Sequence, residues 1–356
     1  MLSVGVIGCG RNSVNHLRVY DSLDGTELVA VCDVDEQRAR KRATQYGAKT
    51  VFTEVEELLD TDLDLVDIVT PVDTHADLTE MALQAGKNVL VEKPMALTSQ
   101  ECLRMIKLAR EAGKTLSVVH NKRFYNCVRE AKRMIRTEGL QVTKVRTTQH
   151  HAYVENLPEW AFREELGGLL WESLTHHVYL AQYFMPEIDS VYAVADRINY
   201  DVYDSITVVL KGEGRVAICD FEADSKEPVD AIHVSTREGG RLEGDLQIDY
   251  LRPRNSDFRT NRAPALRSLP GDIREPLAKG FRYLKDFLGI NQYGMKVNSF
   301  TESFFTLISE LISYLEGESD RMPVSPQEGL AVIRILEAAR KSIETGRPRK
   351  IRGNRG

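Results

Sequence analysis

One stretch near the start of the chain constrains the fold more than any other. Ser3-Val4-Gly5-Val6-Ile7 reads as a short apolar strand, Gly8-Cys9-Gly10-Arg11-Asn12-Ser13 follows, and an apolar helical pattern runs on through Leu17 and Tyr20. A second apolar strand, Glu27 to Cys32, ends in Asp33, twenty residues beyond Ser13. Gly8 permits a tight turn, and Gly10 lets the backbone approach a pyrophosphate seated on the free N–H groups of the helix N-terminus. Asp33 is spaced to accept hydrogen bonds from the adenosine ribose hydroxyls of a dinucleotide. The third small position of the fingerprint is Ser13, compact enough for the helix to pack against the strand. Arg11 and Asn12, inside the turn, join Gly8, Gly10 and Asp33 as candidate cofactor contacts. A carboxylate at position 33 repels a 2′-phosphate, and Val34 offers it nothing. Arg38 and Arg40 fall on the next helix, where solvation is expected. The pattern therefore favours NAD over NADP.

The alternation continues down the chain. Val66 to Thr70 reads as a strand ending at Pro71, Asp73-Thr74 as the cap of a helix running to Ala85, and Gly86 as its stop. Asn88 to Val91 is a strand closed by Glu92-Lys93-Pro94. Thr98 caps a helix through Ala112, Gly113 ends it, and Thr115 to Val119 is a further strand. Strands alternating with helices over short connections imply a parallel, doubly wound sheet, whose ligands bind at the strands' C-terminal ends. Thr70, Pro71, His75, Glu92 and Lys93 all sit at such ends and are candidate cofactor contacts. Proline restricts the residue before it to extended backbone, so Lys93 is held in a defined geometry.

With 356 residues the chain has room for about two domains. A net charge of −6 excludes general nucleic-acid binding. The five cysteines form no C-x-x-C pair and are odd in number, which suggests a reducing, cytoplasmic setting. No apolar stretch approaches the length of a membrane span, so membrane contact is not expected.

The pattern changes near residue 122, giving expected domains of 1–122 and 123–356. After a helix ending near Thr137, strand-like runs appear at Gln141–His150, Ser190–Asn199, Ser205–Leu210, Val216–Phe221 and Ala231–Thr236. Successive strands without regular intervening helices suggest an antiparallel sheet. Gly167 to Phe184 carries a helical pattern, Ser299 to Leu315 reads as a helix, and Ser325 caps a last helix running to about Glu344. The C-terminal Arg347–Arg352 run reads as a short strand or a basic tail.

Taken in order, several pieces resemble the Gfo/Idh/MocA family, named for glucose–fructose oxidoreductase and inositol dehydrogenase. They are Gly8-Cys9-Gly10 with His16, Val31-Cys32-Asp33, Thr70-Pro71 with His75, and Gly86 through Pro94. Asn121-Lys122-Arg123-Phe124, Gly167-Gly168 with Glu172 and His176, and Pro326-Gln327-Glu328-Gly329 complete the set. The resemblance implies an α/β protein: an N-terminal Rossmann domain and a C-terminal α/β domain with an open, mostly antiparallel sheet. It further implies a substrate held between nicotinamide and sheet, and a homodimer or homotetramer formed through that sheet. The family's E-K-P lysine corresponds to Lys93 and its D-x-x-x-H pair to Glu172 and His176. Two positions depart from the family pattern: Glu172 replaces the usual Asp, and Val72 the frequent Asn after Thr-Pro.

The chemistry expected of those residues follows. Oxidising a carbinol requires a base for the hydroxyl proton, and histidine titrates near working pH. His176 is the candidate acid/base and Lys93 the orienter that favours developing alkoxide. Glu172, one helical turn before His176, is the candidate polar positioner. The expected activity is NAD(P)-dependent hydride transfer between a nicotinamide cofactor and a secondary hydroxyl of a sugar, polyol or nucleotide sugar. Two alternatives are an NAD-retaining glycoside hydrolase and a non-catalytic dinucleotide sensor. Asn121, Arg123, Trp160 and His177 are candidate substrate contacts, with Tyr153 beside Trp160 on the loop before Gly167. No metal site is expected, because no H-E-x-x-H motif or cysteine pair is present. Between Leu251 and Lys285 nine basic residues face three acidic ones, and Pro276 to Ile290 looks amphipathic. A solvated loop and a packed helix are expected there; the functional alternatives are contact of the basic loop with a substrate phosphate, and a helix lying on a membrane surface or a neighbouring subunit.

Overall fold

The N-terminal strand β1 (Leu2–Ile7) lies inside a parallel sheet. In the computed structural model, which describes residues 1–152, 154, 157–254 and 299–351, it leads into α1 (Ser13–Ser22), β2 (Thr26–Cys32), α2 (Glu36–Tyr46), β3 (Thr50–Phe52) and α3 (Val55–Leu59). Then come β4 (Leu65–Ile68), α4 (His75–Gln84), β5 (Asn88–Val91), α5 (Ser99–Ala112) and β6 (Leu116–Val118). The six-stranded sheet has the order β3-β2-β1-β4-β5-β6, with every pairing parallel. This is the doubly wound order with its reversal between β1 and β4. Helices α1 and α2 pack together, as do α4 and α5. Right-handed crossovers put the two pairs on opposite faces, so the central strands are buried on both sides. That is why Val89, Leu90 and Val91 of β5 read as a continuous apolar run rather than an alternating one.

The helix ends are set locally. Asp35 caps α2 by accepting from the Arg38 backbone N–H. Thr98 and Glu101 form a reciprocal capping box on α5, which Gly113 ends in left-handed backbone. The expected helix from Asp73-Thr74 differs in detail. Val72–Thr74 is a single 3-10 turn, Thr74 makes no side-chain cap, and α4 begins at His75. The Thr74 hydroxyl bonds Thr70 Oγ1 and Pro71 O instead, closing the preceding turn.

By contacts, the first compact unit comprises Met1–His120, Glu159–Thr175 and Phe304–Glu337. The returning segments are tied in by specific bonds. Glu337 accepts from both the backbone and hydroxyl of Ser99, each at 2.8 Å. Gly329 passes so close to Met95 that a Cβ would lie 2.8 Å from its sulfur.

The second unit comprises the described residues of Asn121–Pro158, His176–Ser303 and Ala338–Gly356. After α6 (Asn126–Thr137) and β7 (Val142–His151) the chain forms α7 (Gly168–Glu172) and α8 (Leu174–Phe184). Strands β8 (Ser190–Asp196), β9 (Ser205–Gly212), β10 (Arg215–Ala223), β11 (Val229–Thr236), β12 (Arg241–Asp245) and β13 (Tyr250–Arg254) follow. Helices α9 (Ser299–Leu315) and α10 (Pro326–Thr345) precede the short strand β14 (Arg349–Lys350). The eight-stranded sheet runs β13-β12-β11-β7-β10-β9-β8-β14, and only the β7–β10 pairing is parallel. One face is buried through Val145, Thr147, Ile206, Val208, Leu210, Ala217, Cys219, Ile232 and Val234. The other alternates with them and carries polar pairs such as Arg146 with Asp220. The basic stretch beyond Arg254, the Pro276–Ile290 stretch, Tyr153 and Arg352 lie outside the described residues.

The expected single helix over Gly167–Phe184 is interrupted at Ser173, between α7 and α8. The Thr175 hydroxyl takes the Trp171 carbonyl that the helical N–H ladder would use, and the Ser173 hydroxyl donates to Glu172. Side-chain hydroxyls here compete with the backbone for its own acceptors.

Candidate active site

The loops that follow β1 and β4 in the first unit meet at the sheet's reversal point, between these two strands. Gly8 follows β1 with φ of 96°, and a Cβ there would sit 2.3 Å from the Val69 carbonyl oxygen. Gly10 has nothing within 4 Å of its would-be Cβ, so this side of the turn opens on space that a pyrophosphate fits. No side chain caps α1. Asp33 is buried, with one carboxylate oxygen accepting the Cys9 N–H at 2.7 Å and the other the Asp35 N–H at 2.9 Å. Arg40 pairs with Glu36 in solvent, as expected, whereas Arg38 turns back to within 3.5 Å of Asp33. Arg42, one helical turn further on α2, donates to the Cys9 and Gly10 carbonyls at 3.3 Å each. Its i, i+4 spacing from Arg38 was the available signal for this clasp on the glycine loop. Gly8→Ala should cost about 2 kcal/mol or more, because both the backbone sign and the Val69 carbonyl oppose a side chain. A urea titration reads the loss, and wild-type stability would contradict the placement.

Below the loop lies a buried charge network absent from the sequence reading. His16 Nδ1 is 2.7 Å from Asp67 Oδ2, and His16 Nε2 is 2.9 Å from Glu92 Oε1. Tyr20 donates to the same Asp67 oxygen at 2.8 Å. Burial pulls the His16 ring toward neutrality, but the Asp67 and Glu92 carboxylates outweigh it and raise its pKa to about 10. Glu92 also accepts from Asn12 Nδ2 at 2.6 Å and from the Lys93 N–H at 2.9 Å. One carboxylate thus ties the glycine turn to the Glu92-Lys93-Pro94 turn. Asp67, a charged residue in the middle of an apolar strand, was the visible hint.

The Lys93–Pro94 peptide is cis. Lys93 Nζ donates to Glu172 Oε1 at 2.8 Å and to the Glu172 carbonyl at 3.0 Å, with both side chains about nine-tenths buried. The expected orienter and the expected positioner are therefore ion-paired. Of the three ammonium protons two are engaged by Glu172, and a third can serve a ligand oxygen. His75 is buried with its ring nitrogens 2.8 Å from Pro94 O and 2.9 Å from Thr70 O. Burial depresses its pKa against the pull of those carbonyls. In this position it buttresses the Thr70-Pro71 and Lys93-Pro94 turns. Arg11, Asn12 and Pro71 are exposed, and Thr70 and Trp160 half-buried.

In the second unit, His176 and Tyr179 share one side of α8, with His176 Nδ1 2.8 Å from the Tyr179 hydroxyl. Asn121 is buried and donates to Ser303 Oγ at 3.3 Å. The Arg123 guanidinium lies 4.3 Å from the centre of the Tyr183 ring, a cation–π contact. Lys122, in the same short turn, donates to Asp230 at 2.6 Å. His177 is fully buried 3.6 Å from the other Asp230 oxygen, and neither of its ring nitrogens has a hydrogen-bond partner among the described residues. Burial, reinforced by Lys122, pushes its pKa well down.

Residues 2–120 match the family described as "Oxidoreductase family, NAD-binding Rossmann fold", and residues 128–240 match the "GFO/IDH/MocA C-terminal domain". The chain belongs to the Gfo/Idh/MocA family. Among Gfo/Idh/MocA relatives, a scyllo-inositol 2-dehydrogenase (NADP(+)) of Bacillus subtilis strain 168 is 27% identical over 97% of this chain and 95% of its own. A D-apiose dehydrogenase of Paraburkholderia graminis is 28% identical over 68% of each chain. A levoglucosan dehydrogenase solved with NADH and levoglucosan shares the fold, with a TM-score of 0.82 at 20% identity, covering 99% of this chain and 100% of that one. Within the Gfo/Idh/MocA frame, the extra methylene of Glu172 does not prevent contact with Lys93: the pair closes at 2.8 Å.

Proposed function

We propose that this protein is an NAD-dependent dehydrogenase of a secondary hydroxyl on a sugar, polyol or nucleotide sugar. The observation that carries the reading is Lys93, an ammonium anchored by Glu172 at the end of β5 in a family of NAD-binding oxidoreductases. NAD, when bound, takes up or returns the hydride. Gly8, Gly10, Arg11, Asn12, Asp33, Thr70, Pro71, His75, Glu92 and Lys93 are assigned to holding it. The favoured cofactor is NAD because the buried Asp33 carboxylate, at the end of β2, would repel a 2′-phosphate.

Lys93 is read as donating a hydrogen bond to the reacting oxygen, which favours alkoxide over alcohol as the proton leaves. His176 is read as the group that accepts this proton in oxidation and returns it in reduction. Glu172 then acts mainly on Lys93, holding the ammonium charged and in place. Asn121, Arg123, Trp160 and His177 are assigned to substrate contact. The relatives named for scyllo-inositol, D-apiose and levoglucosan support a polyhydroxylated substrate.

A homodimer or homotetramer through the open sheet face belongs to the same proposal, supported by the exposed Tyr192 and Val194 on β8. A cytoplasmic location is supported by five cysteines that are all free and buried. Among the described residues no helix is long and apolar enough to cross a membrane, and no three His, Cys, Asp or Glu side chains gather to hold a metal.

The test is NADH absorbance with a panel of myo-inositol, scyllo-inositol, D-apiose, levoglucosan and UDP-N-acetylglucosamine. Net NADH from at least one is expected. Glycoside cleavage without net NADH would replace this reading with an NAD-retaining hydrolase. NAD binding with no turnover across the panel would replace it with a sensor.

A further inference from the structure

We propose that Tyr179 is the positioning residue that holds His176 in register for proton exchange and admits either neutral tautomer of its ring. This rests on the reading of His176 as the acid/base. Three observations within the second unit carry it. The Tyr179 hydroxyl lies 2.8 Å from His176 Nδ1, with the rings edge to face at 5.5 Å between centroids. The Tyr179 oxygen also accepts the Lys122 backbone N–H at 3.0 Å. Asn121 Oδ1 stands 3.5 Å from the same hydroxyl. The Asn121 amide is oriented by its own contacts, since its nitrogen donates to Ser303 Oγ and Ser303 in turn donates to Phe300 O at 2.6 Å. Its oxygen therefore faces Tyr179. The phenol is 1% exposed, so the ring that carries this hydroxyl is fixed by packing.

A phenol has one proton to donate and two lone pairs to accept with. Lys122 N–H meets one lone pair, and His176 Nδ1 and Asn121 Oδ1 lie within reach of the second lone pair and the proton. With the proton directed at His176 Nδ1, the neutral imidazole carries its own proton on Nε2 and has no lone pair there to accept one, a resting setting that stands outside the proton exchange. With the proton directed at Asn121 Oδ1, the second lone pair receives Nδ1–H, and Nε2 bears a lone pair as a base. The same arrangement suits the imidazolium. Rotation about one C–O bond interconverts the two settings without moving a heavy atom. In both, Nδ1 is committed to Tyr179, so exchange with the substrate falls to Nε2.

The step then balances. In oxidation the substrate O–H proton would pass to His176 Nε2, while NAD, when bound, would supply the acceptor for the hydride on the carbon that bears this oxygen. His176 becomes imidazolium, with Nδ1–H donating to Tyr179 and the Tyr179 proton donating to Asn121. In reduction Nε2 returns its proton to the alkoxide oxygen. Tyr179 neither gains nor loses a proton over the cycle, which distinguishes a positioning residue from a catalytic one.

The decisive experiment uses the full-length protein without substrate. Imidazole 15N–1H correlation spectra, with His176 assigned by its disappearance in His176→Ala, report the proton on each ring nitrogen. Wild type should show Nδ1 hydrogen-bonded, and Tyr179→Phe should shift that resonance to the position of a ring without the bond. An unchanged Nδ1 resonance in Tyr179→Phe overturns the proposal. If Tyr179→Phe does not fold, the wild-type spectrum decides: an Nδ1 resonance typical of a freely solvated imidazole overturns it as well. With the substrate found by the panel above, Tyr179→Phe should lower kcat about tenfold or more while leaving the Kd for NAD unchanged. His176→Ala separates the two ideas. Turnover surviving in His176→Ala removes the acid/base reading itself. Loss in His176→Ala with wild-type kcat in Tyr179→Phe removes only the role of Tyr179.

Discussion

Lys93→Met should lower kcat/KM by about a hundredfold to a thousandfold, the loss typical of removing one fixed donor to a developing oxyanion. The physical basis is the two-point anchor of Nζ on Glu172, at 2.8 Å to the carboxylate and 3.0 Å to the carbonyl. An ammonium fixed in this way requires little reorganisation when charge develops on the substrate oxygen. Methionine keeps most of the volume and removes the charge. Glu172→Gln provides the internal comparison, since its amide oxygen can still accept from Nζ while the countercharge is gone. It should lose less than Lys93→Met, and the two changes combined should not multiply, because they act on one unit. Steady-state kinetics on both variants and their combination measure this. A Lys93→Met enzyme within threefold of wild type (about 0.7 kcal/mol of barrier) would sink the assignment.

His16→Leu should destabilise the fold by about 3–5 kcal/mol, because it strands two buried carboxylates that the imidazolium now holds together. Asp67 keeps Tyr20 as a donor, and Glu92 keeps Asn12 and the Lys93 N–H, but neither retains a positive charge at contact distance among these bonds. The pH dependence carries a definite sign. The folded-state pKa of His16 is raised from 6.5 to about 10, so its stabilisation is complete below pH 6.5 and is lost as pH rises through 10. Urea titrations between pH 6 and 10 should therefore show the wild-type advantage over His16→Leu shrinking as pH rises. The difference between the two proteins is the quantity to follow, since buried thiols such as Cys9, whose pKa burial pushes up to about 12, oppose folding at alkaline pH in both. A difference that stays flat across this window would contradict a charged His16.

What could be read along the chain shares one property: it depends on a few consecutive residues. Gly8 and Gly10 announce a turn that only glycine makes comfortably. Thr98 with Glu101, and Ser325 with Glu328, announce helix starts, and both form the bonds their spacing implies. The apolar runs of β1 and β5 announce strands buried on both faces. The three-residue edge strand β3 escaped notice because so short a run carries no periodicity. The break between α7 and α8 escaped because the apolar pattern continues across it, while the interruption comes from hydroxyl groups on Ser173 and Thr175.

The candidate site was legible as a set of residues and not as a set of contacts. Lys93 and Glu172 were both named, yet Glu172 was expected to act on His176, and its ion pair spans 79 residues of sequence to Lys93. His16 and Glu92 appeared as motif members with no sign that one neutralises the other. Tyr179 lies within the helical pattern over Gly167–Phe184 and is buried, and its hydroxyl becomes informative only through Lys122 and Asn121 against it. The N-terminus of α6 is capped in the same remote way, by Asp249 accepting from the Asn126 and Cys127 N–H groups.

By itself, then, the sequence determined the parallel dinucleotide-binding half and the family, and it supplied the candidate residues for the chemistry. Each of these depends on backbone geometry and spacing over short range. Only the tertiary structure decided which charge meets which: Lys93 with Glu172, His16 between Asp67 and Glu92, and His176 against Tyr179. Those pairings are set by strand order and packing, which bring distant side chains within hydrogen-bond reach where little water competes. Local pattern carries no record of that proximity.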